Sequence, residues 1–200
     1  MAKSPALSDL REWIKSGRIQ VLGEILNQYM GIAPTDPRCE PYWALAEELD
    51  VPVAIHLGPG WPGASYAGSP ESRARLSNAL ELEDVLVRHP KLRMYAMHAG
   101  WPLGDQMIAA LYAHPQLHVD TGVISYILPK AEFHGYLKRM VDAGFLNRIM
   151  FGSDQMVWPQ AIPIAIANVQ SVPFLSEEQK RDILYNNARR FLRLASAAPR

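Results

Sequence analysis

Five segments of this sequence end on polar residues whose side chains can bind metals or transfer protons. The residues are Glu24, His56, His98, Asp120 and Asp154, and each stands at or just beyond the end of a short run typical of a β-strand. In parallel α/β folds the carboxyl ends of the strands lie together, and reactive groups collect there. Polar residues at all five ends, two of them imidazoles, therefore predict a functional site at this edge.

The residue types at these strand ends suit a divalent cation. Neutral imidazole nitrogens and carboxylate oxygens are ligands of catalytic zinc, and of manganese and ferrous iron too. Such a site keeps a position for water, whose pKa falls toward about 7 on zinc, and a neighbouring carboxylate can accept its proton. We therefore expect a divalent metal cofactor, zinc before manganese or iron, with a second imidazole available to polarise a substrate carbonyl.

Each of these residues also has a structural interpretation. A histidine at a strand end can be a hydrogen-bonded residue of the core or rim, and Glu24 can cap the loop that follows it. Asp120 begins the sequence Asp-Thr-Gly, so its side chain can cap a turn. We interpret the remaining four histidines as structural: His89, His114, His118 and His134.

Three Trp-Pro pairs follow the strongest ligand candidates. Trp61, Trp101 and Trp158 lie three to five residues beyond the two histidines and Asp154. Because an apolar, aromatic rim around a polar centre is common in ligand sites, we expect these indoles to line a substrate pocket. The alternative is that they pack loops against helices. No phosphate-binding glycine motif and no G-x-S-x-G elbow occur, which argues against nucleotide and acyl-serine chemistry.

The elements that would position these residues alternate between strands and helices, which predicts a parallel α/β fold. The predicted strands are residues 18–24, 51–56, 92–98, 117–120 and 148–152. Several are apolar on both faces, as is typical of parallel strands covered by helices. Helix starts are predicted where a capping residue precedes a helical stripe, at Asp36-Pro37, Ser69-Pro70 and Ser176. Helix ends are predicted at His89-Pro90 and His114-Pro115.

The composition is that of an ordinary globular protein and excludes several classes. Hydrophobic residues make up 48% of the chain, and 20 basic residues balance 20 acidic ones. Without a basic run, nucleic acid and anionic membranes are not expected as partners. No apolar stretch approaches the ~18 residues of a spanning helix, and residues 1–5 lack a signal-peptide core. With Cys39 as the single cysteine, we expect a soluble cytoplasmic protein that acts on a small molecule.

In combination, several segments resemble the metal-dependent amidohydrolase superfamily, in its amidohydrolase-related branch of TIM-barrel hydrolases and decarboxylases. The segments are residues 21–24 (VLGE), 52–56 (PVAIH), 89–101 (from HPKLR to HAGW) and 148–154 (RIMFGSD). Residues 185–194 resemble the terminal helix of that family. The resemblance covers nearly the whole chain.

The resemblance implies a role for each candidate residue. His56 matches the metal ligand of strand five, and His98 matches the histidine of strand six, which is a ligand in some members and an acid/base group in others. Asp154 matches the aspartate of strand eight, which binds metal and handles the proton of the attacking water. Glu24 stands where some members have a ligand on strand four.

One part of the family's pattern is missing. Members have an H-x-H pair at the end of strand one, and no H-x-H occurs in these 200 residues. The resemblance then implies a single domain, residues 1–200, that is truncated on its N-terminal side. Its fold would be a partial (β/α)8 TIM-barrel-like α/β fold, with about five parallel βα units that correspond to strands 4–8. An exposed sheet edge would favour pairing with a second copy, so a homo-oligomer is expected.

Several functions remain open at this point. The first is a metal-dependent hydrolase for an ester, lactone or amide-type bond, in which activated water attacks, Asp154 takes its proton and His98 stabilises the oxyanion. The second is a non-oxidative decarboxylase of the same family. The third is a catalytically inactive, truncated paralogue that binds a ligand or partner. An open doubly wound sheet of unrelated function is a further alternative.

Overall fold

Five short parallel strands form one sheet in which neighbours along the chain are also neighbours in space. The computed structural model describes residues 5–195. Its strands are β1 (Leu22–Ile25), β2 (Val53–His56), β3 (Met94–Met97), β4 (Leu117–Asp120) and β5 (Ile149–Met150). They are ordered β1-β2-β3-β4-β5, and every neighbouring pair is parallel. The predicted parallel α/β class is confirmed, although β1 begins four residues later than expected.

Helices and short 3-10 turns connect the strands. The helices are α1 (Leu7–Lys15), α2 (Glu40–Glu48), α3 (Glu83–Arg88), α4 (Gly104–Ala113), α5 (Ile124–Ile127), α6 (Lys130–Asp142), α7 (Ala161–Gln170), α8 (Glu177–Arg181) and α9 (Asn187–Phe191). A π-helical turn, Asp182–Asn186, joins α8 to α9. Within residues 5–195, none of the helices has the length and apolar character needed to cross a membrane.

Two kinds of helix signal in the sequence are confirmed. Ser176 and Gln179 form a reciprocal capping box at the start of α8. His89 and His114 are the residues at which α3 and α4 end, each directly before a proline.

The helix start predicted at Asp36-Pro37 is wrong. The Asp36 carboxylate accepts hydrogen bonds from the backbone amide and the guanidinium of Arg38, which folds these residues into a turn. The α2 helix begins at Glu40 instead, with Pro41 in its first turn. Local side-chain bonds of this kind give the backbone an alternative to the helix.

The helix predicted to start at Ser69-Pro70 is also wrong over its first part. Two 3-10 turns occupy residues 74–77 and 79–82, and only α3 is α-helical. Arg73 donates two hydrogen bonds to carbonyl groups of the loop before it, and the Asn78 side chain accepts one from a backbone amide two residues on. These local bonds break the segment into turns.

The two faces of the sheet carry different residues. Side chains alternate along a strand, and the register pairs Val53 with Met94, which belong to the hydrophobic core together with residues of the helices. The register also places four titratable side chains on the opposite face: His56, Tyr95, His118 and Asp120. His56 and Asp120, two of the strand-end candidates, therefore lie on the face that looks away from the helical core.

The segment after α8 covers the outer edge of β5. The Phe151 amide donates to the Ile183 carbonyl at 2.8 Å. The Asn187 side-chain amide donates to the carbonyls of Leu146, at 2.8 Å, and Ile149, at 2.6 Å. The chain itself thus satisfies backbone groups that an edge strand would otherwise expose. The expected homo-oligomer stays a prediction.

The ring of Phe191 covers the amino-terminal part of the titratable face. It lies 4.6 Å from the His118 ring and 5.7 Å from the Tyr95 ring, centroid to centroid. Burial lowers the pKa of His118 to about 4 and raises the pKa of Tyr95 to about 12. Both side chains are therefore uncharged near neutral pH.

Replacement of Asn187 should destabilise the fold strongly. Asn187→Ala leaves two carbonyl groups without their donor, so we expect the free energy of unfolding to fall by about 2–4 kcal/mol in urea titrations followed by circular dichroism. Asn186→Ala is the control, because it removes a single bond to Asp182, and should cost less than about 1 kcal/mol. Similar losses in the two variants would contradict the role of Asn187 at the sheet edge.

His118 should contribute to the pH dependence of stability. Its pKa is about 4 in the folded chain against an ordinary value of 6.5. Between these values protons bind preferentially to the unfolded chain, so stability is fully present above about 6.5 and is lost as the pH falls toward about 4, by up to roughly 3 kcal/mol. Urea titrations at pH 7, 6 and 5 should show a shallower loss for His118→Gln; equal slopes would show that His118 contributes nothing.

Candidate metal centre

Three side chains from neighbouring strands bring possible ligand atoms together. Glu24 comes from β1, His56 ends β2, and His98 follows β3 directly. Glu24 Oε1 lies 2.7 Å from His56 Nδ1 and 3.5 Å from His98 Nε2, and the two nitrogens are 3.0 Å apart. Among the described residues these three form a group that could hold a metal ion. Three of the four ligand candidates from the sequence therefore meet.

Among Glu24, His56 and His98, hydrogen-bond acceptors outnumber the protons available to them. His98 Nδ1 lies 3.0 Å from the Gly122 carbonyl and donates to it, so in the neutral imidazole Nε2 directs a lone pair toward Glu24 and His56. His56 Nδ1 faces an acceptor on each of these two residues and can offer one proton at most. Its Nε2 is buried and has no hydrogen-bond partner among the described residues. A cation among the three facing atoms would satisfy all of them.

The spacing and the electrostatics also fit a cation. Ligand atoms on one tetrahedral zinc lie roughly 3.3 Å from one another, close to the separations seen here. Burial alone would raise the pKa of Glu24, but its bonds to His56 and His98 lower it to about 2. Burial opposes the charged form of His98, yet Glu24 and Asp120 raise its pKa overall. The surroundings thus stabilise positive charge at this point.

Asp120 supports the centre from β4 without joining it. Its side chain is buried, and Oδ1 accepts hydrogen bonds from the amides of His98 and Gly122, both at 2.9 Å. The bond to Gly122 is the turn that the sequence suggested as a structural role for Asp120. A methyl group at Gly152 would lie 2.7 Å from Oδ2, so glycine is needed there for close packing.

Asp154 borders the group but stands apart from its ligand atoms. A methyl group at Gly122 would lie 3.3 Å from Asp154 Cβ and 3.4 Å from His98 Nδ1, so these residues adjoin. Within the described part of the chain, the metal-binding group contains Glu24 and the two histidines without Asp154. Burial raises the pKa of Asp154, and the charge of Glu24 adds to the rise while His98 opposes it. The ligand role expected for Asp154 stays a prediction.

Two of the site residues have a strained backbone. His98 and Asp154 have φ angles of 60° and 52°, in the left-handed region that residues with a Cβ rarely adopt. Such conformations cost of order 1–3 kcal/mol each and persist where the surroundings hold them. At His98 the bond from its amide to Asp120 provides this hold.

The structure brings two of the three candidate tryptophans together. Trp61 and Trp101 line one cavity of about 350 Å³ between the loops that follow β2 and β3. The Trp101 indole nitrogen donates to Glu132 on α6 at 3.0 Å, which fixes the ring. Trp158 lies outside this cavity on the loop after β5 and is 67% exposed. Its place in a substrate pocket stays a prediction.

Two tyrosines that the sequence did not single out also border the centre. The ring centroid of Tyr29 is 5.3 Å from that of His56, and the Tyr126 hydroxyl accepts a hydrogen bond from the side chain of Gln155. Burial raises the pKa of both hydroxyl groups, and the charge of Asp154 adds to each rise. Tyr29 lies in a 3-10 turn after β1 and Tyr126 in the short helix α5 after β4, where no sequence period relates them to the strand ends.

Comparison with known proteins identifies the family. The family model described as amidohydrolase matches residues 2–194. The chain belongs to the amidohydrolase family. This confirms the resemblance drawn from the strand-end motifs. No curated protein sequence matches the chain significantly.

Several solved structures are similar to this chain over most of its length. An uncharacterised TIM-barrel protein from Bordetella bronchiseptica has a TM-score of 0.71 at 20% identity, over 94% of this chain and 62% of that one. A dihydroxybenzoic acid decarboxylase from a Polaromonas species, with bound manganese and the inhibitor 2-nitroresorcinol, has a TM-score of 0.67 at 16% identity, over 96% and 66%. A probable 2-pyrone-4,6-dicarboxylic acid hydrolase from Acinetobacter baumannii, with citric acid bound, has a TM-score of 0.62 at 14% identity, over 97% and 71%.

These likenesses define the fold as a partial TIM barrel. The chain spans 62% of the length of the Bordetella protein, and its sheet has five parallel strands where a complete barrel has eight. The predicted partial (β/α)8 architecture is confirmed. Because the carboxyl ends of barrel strands carry the active sites of such enzymes, the Glu24–His56–His98 group lies at the expected end.

Metal content provides a direct test of the centre. After dialysis against zinc or manganese and removal of free ions, we expect about one equivalent per chain by inductively coupled plasma mass spectrometry. His56→Ala removes a ligand atom and should weaken binding by more than the 10–100-fold loss caused by removing an outer partner. His134→Ala, on the surface of α6 with a bond to the Asn168 carbonyl, is the matched histidine control. Equal metal content in the two variants would exclude His56 as a ligand.

Proposed function

We propose that the chain binds a divalent metal and hydrolyses an ester, lactone or amide-type bond of a small molecule, with zinc as the favoured metal and manganese or iron as alternatives. The main support is the convergence of Glu24, His56 and His98, with Asp154 beside them. Membership of the amidohydrolase family supports metal-dependent chemistry at this end of the strands. The proposal treats residues 1–200 as one domain.

Glu24 Oε1, His56 Nδ1 and His98 Nε2 would hold the metal. His98 is anchored by its Nδ1 bond to Gly122, as is usual for an imidazole ligand whose second nitrogen is fixed. With both ring nitrogens engaged, His98 has no group left to polarise a carbonyl, so we assign it to metal binding. When bound, a divalent cation acts as a Lewis acid toward a substrate oxygen and lowers the pKa of a water molecule.

Asp154 would move the proton. Its carboxylate accepts a proton from the attacking water and returns it to the leaving oxygen or nitrogen, so the residue ends the cycle as it began. Because burial raises its pKa above the usual aspartate value, the Asp154 carboxylate is a stronger base toward the attacking water than an exposed aspartate. The left-handed backbone at Asp154 holds the group near His98.

The cavity between Trp61 and Trp101 would take the body of the substrate. Its wall is mostly apolar, with two indoles and the exposed ring of Tyr66. Flat, apolar surfaces of this kind suit a small planar or cyclic molecule. We propose 2-nitroresorcinol, which is bound in the Polaromonas structure, as a binding probe for this cavity.

Non-oxidative decarboxylation is the second candidate, and the raised pKa of Asp154 favours it. In that reaction the bond between a substrate carbon and its carboxylate breaks, carbon dioxide leaves, and the electron pair stays on the carbon. A proton must then reach that carbon, and Asp154 in its protonated form would supply it. The fold likeness to a decarboxylase supports keeping this alternative.

Two substrates separate these reactions. The metal-loaded chain should open the lactone ring of 2-pyrone-4,6-dicarboxylate, seen as a loss of ultraviolet absorbance, and should release no carbon dioxide from 2,6-dihydroxybenzoate. The reverse pattern would establish decarboxylation. Metal binding without turnover of either substrate would favour a binding protein instead.

Asp154→Asn should separate chemistry from metal binding. We expect kcat to fall by about 10²–10⁴-fold, because the proton-transfer group is lost, while metal content stays near one equivalent. Asp142→Asn is the control, since Asp142 is exposed and pairs with Lys138 on α6. An equal effect of both variants on kcat would rule out the proposed role of Asp154.

A further inference from the structure

The ring of Tyr29 stands beside two of the metal-binding strands. Tyr29 lies in the 3-10 turn Asn27–Met30, which follows β1 and its ligand Glu24. Its ring centroid is 5.3 Å from that of His56 on β2, and the two ring planes make an angle of 59°. The Tyr29 side chain therefore connects the turn after β1 with His56, the ligand at the end of β2.

The hydroxyl end of Tyr29 fits against the loop after β2. A methyl group at Gly60 would lie 2.9 Å from the ring carbons Cε1 and Cζ, and closer still to the hydroxyl oxygen. Only glycine leaves room for this contact. The backbone of Trp61 lies near the same hydroxyl and lowers its pKa, against the larger effect of burial. Tyr29 thus packs against the residue before Trp61 and lies next to the Trp61 backbone.

We propose that Tyr29 is a positioning residue that holds the loop of residues 58–66 against the metal centre and so sets the Trp61 side of the substrate cavity. The inference rests on the proposed function, because it takes the cavity between Trp61 and Trp101 as the substrate's. Tyr29 acts here through the loop, and the reaction itself is left to the metal ligands and Asp154.

The charges around Tyr29 keep this contact constant. Burial raises the pKa of its hydroxyl, and the negative charges of Glu24 and Asp154 raise it further. The phenol therefore keeps its proton at neutral pH, so its contact with Gly60 does not change through ionisation.

Gly63 in the same loop provides a matched comparison. Gly60 and Gly63 have nearly equal left-handed φ angles, +79° and +78°, but a methyl group at Gly63 would meet no atom within 4 Å. Alanine at either position carries the same kind of backbone strain, and only at Gly60 does it collide with Tyr29. The difference between the two substitutions isolates the contact.

Amide hydrogen exchange tests the contact without any ligand. Tyr29→Phe keeps the ring and removes the oxygen, so the Trp61 amide should exchange at least about fivefold faster than in the wild type. The amide of Val169, a buried residue of the α7 helix, should exchange at the wild-type rate and thus report that the fold is intact. An unchanged rate at Trp61 would overturn the inference.

Binding of 2-nitroresorcinol to the manganese-loaded chain, measured by isothermal titration calorimetry, tests the consequence for the cavity. Gly60→Ala should weaken binding by about tenfold when Tyr29 is present and by less than about twofold in a Tyr29→Ala background. Gly63→Ala should have the same effect in both backgrounds. If Gly60→Ala also acts equally in both, the loop is not positioned by Tyr29 and the inference is wrong.

Two further outcomes separate this inference from the proposed function. If 2-nitroresorcinol does not bind the metal-loaded wild type, the proposed cavity function fails, and the exchange rate at Trp61 still decides whether Tyr29 holds the loop. Manganese content should be the same in Tyr29→Phe as in the wild type. A loss of manganese in that variant would assign Tyr29 to the support of His56 and overturn its role in the loop.

Discussion

Three possible ligand atoms, on Glu24, His56 and His98, meet at the carboxyl ends of β1, β2 and β3 within 3.5 Å of one another. Such a grouping in a largely buried place costs free energy unless positive charge lies among the atoms. The pKa values also indicate that this place favours positive charge, because the pKa of Glu24 falls to about 2 and that of His98 rises. A parallel sheet makes the grouping available, since neighbouring strands deliver their final side chains to one edge.

Much of the support for this group comes from β4 and β5, which supply none of its three ligand atoms. Asp120 fixes the amides of His98 and Gly122, and the Gly122 carbonyl in turn fixes the imidazole of His98. Gly152, just beyond β5, leaves space for the Asp120 carboxylate. The orientation of His98 thus depends on the buried Asp120 carboxylate and on two glycines. A larger residue at Gly152 would collide first with that carboxylate, which holds His98 in place.

The sequence predicts correctly the positions of those site residues that stand at the ends of parallel strands. His56 and His98 were predictable because strand ends in a parallel sheet share an edge, and the family resemblance then gave the barrel. Asp36 was misinterpreted as a helix start because a turn and a helix cap use the same side-chain acceptor at similar free energy. Tyr29 and Gly60 were not predictable, because their contact joins two irregular loops whose paths no periodicity describes.

The titratable face of the sheet is divided into two parts with different chemistry. Toward the amino ends of the strands, Phe191 covers Tyr95 and His118, and burial keeps both uncharged near neutral pH. Toward the carboxyl ends, Glu24 is ionised and partly open to solvent. The uncharged His118 and Tyr95 offer the Glu24 carboxylate no competing positive charge. The segment that follows α8 closes the outer edge of β5, and its Phe191 covers Tyr95 and His118. The negative charge that attracts a cation therefore lies at the carboxyl ends of the strands, where the loops can admit a substrate.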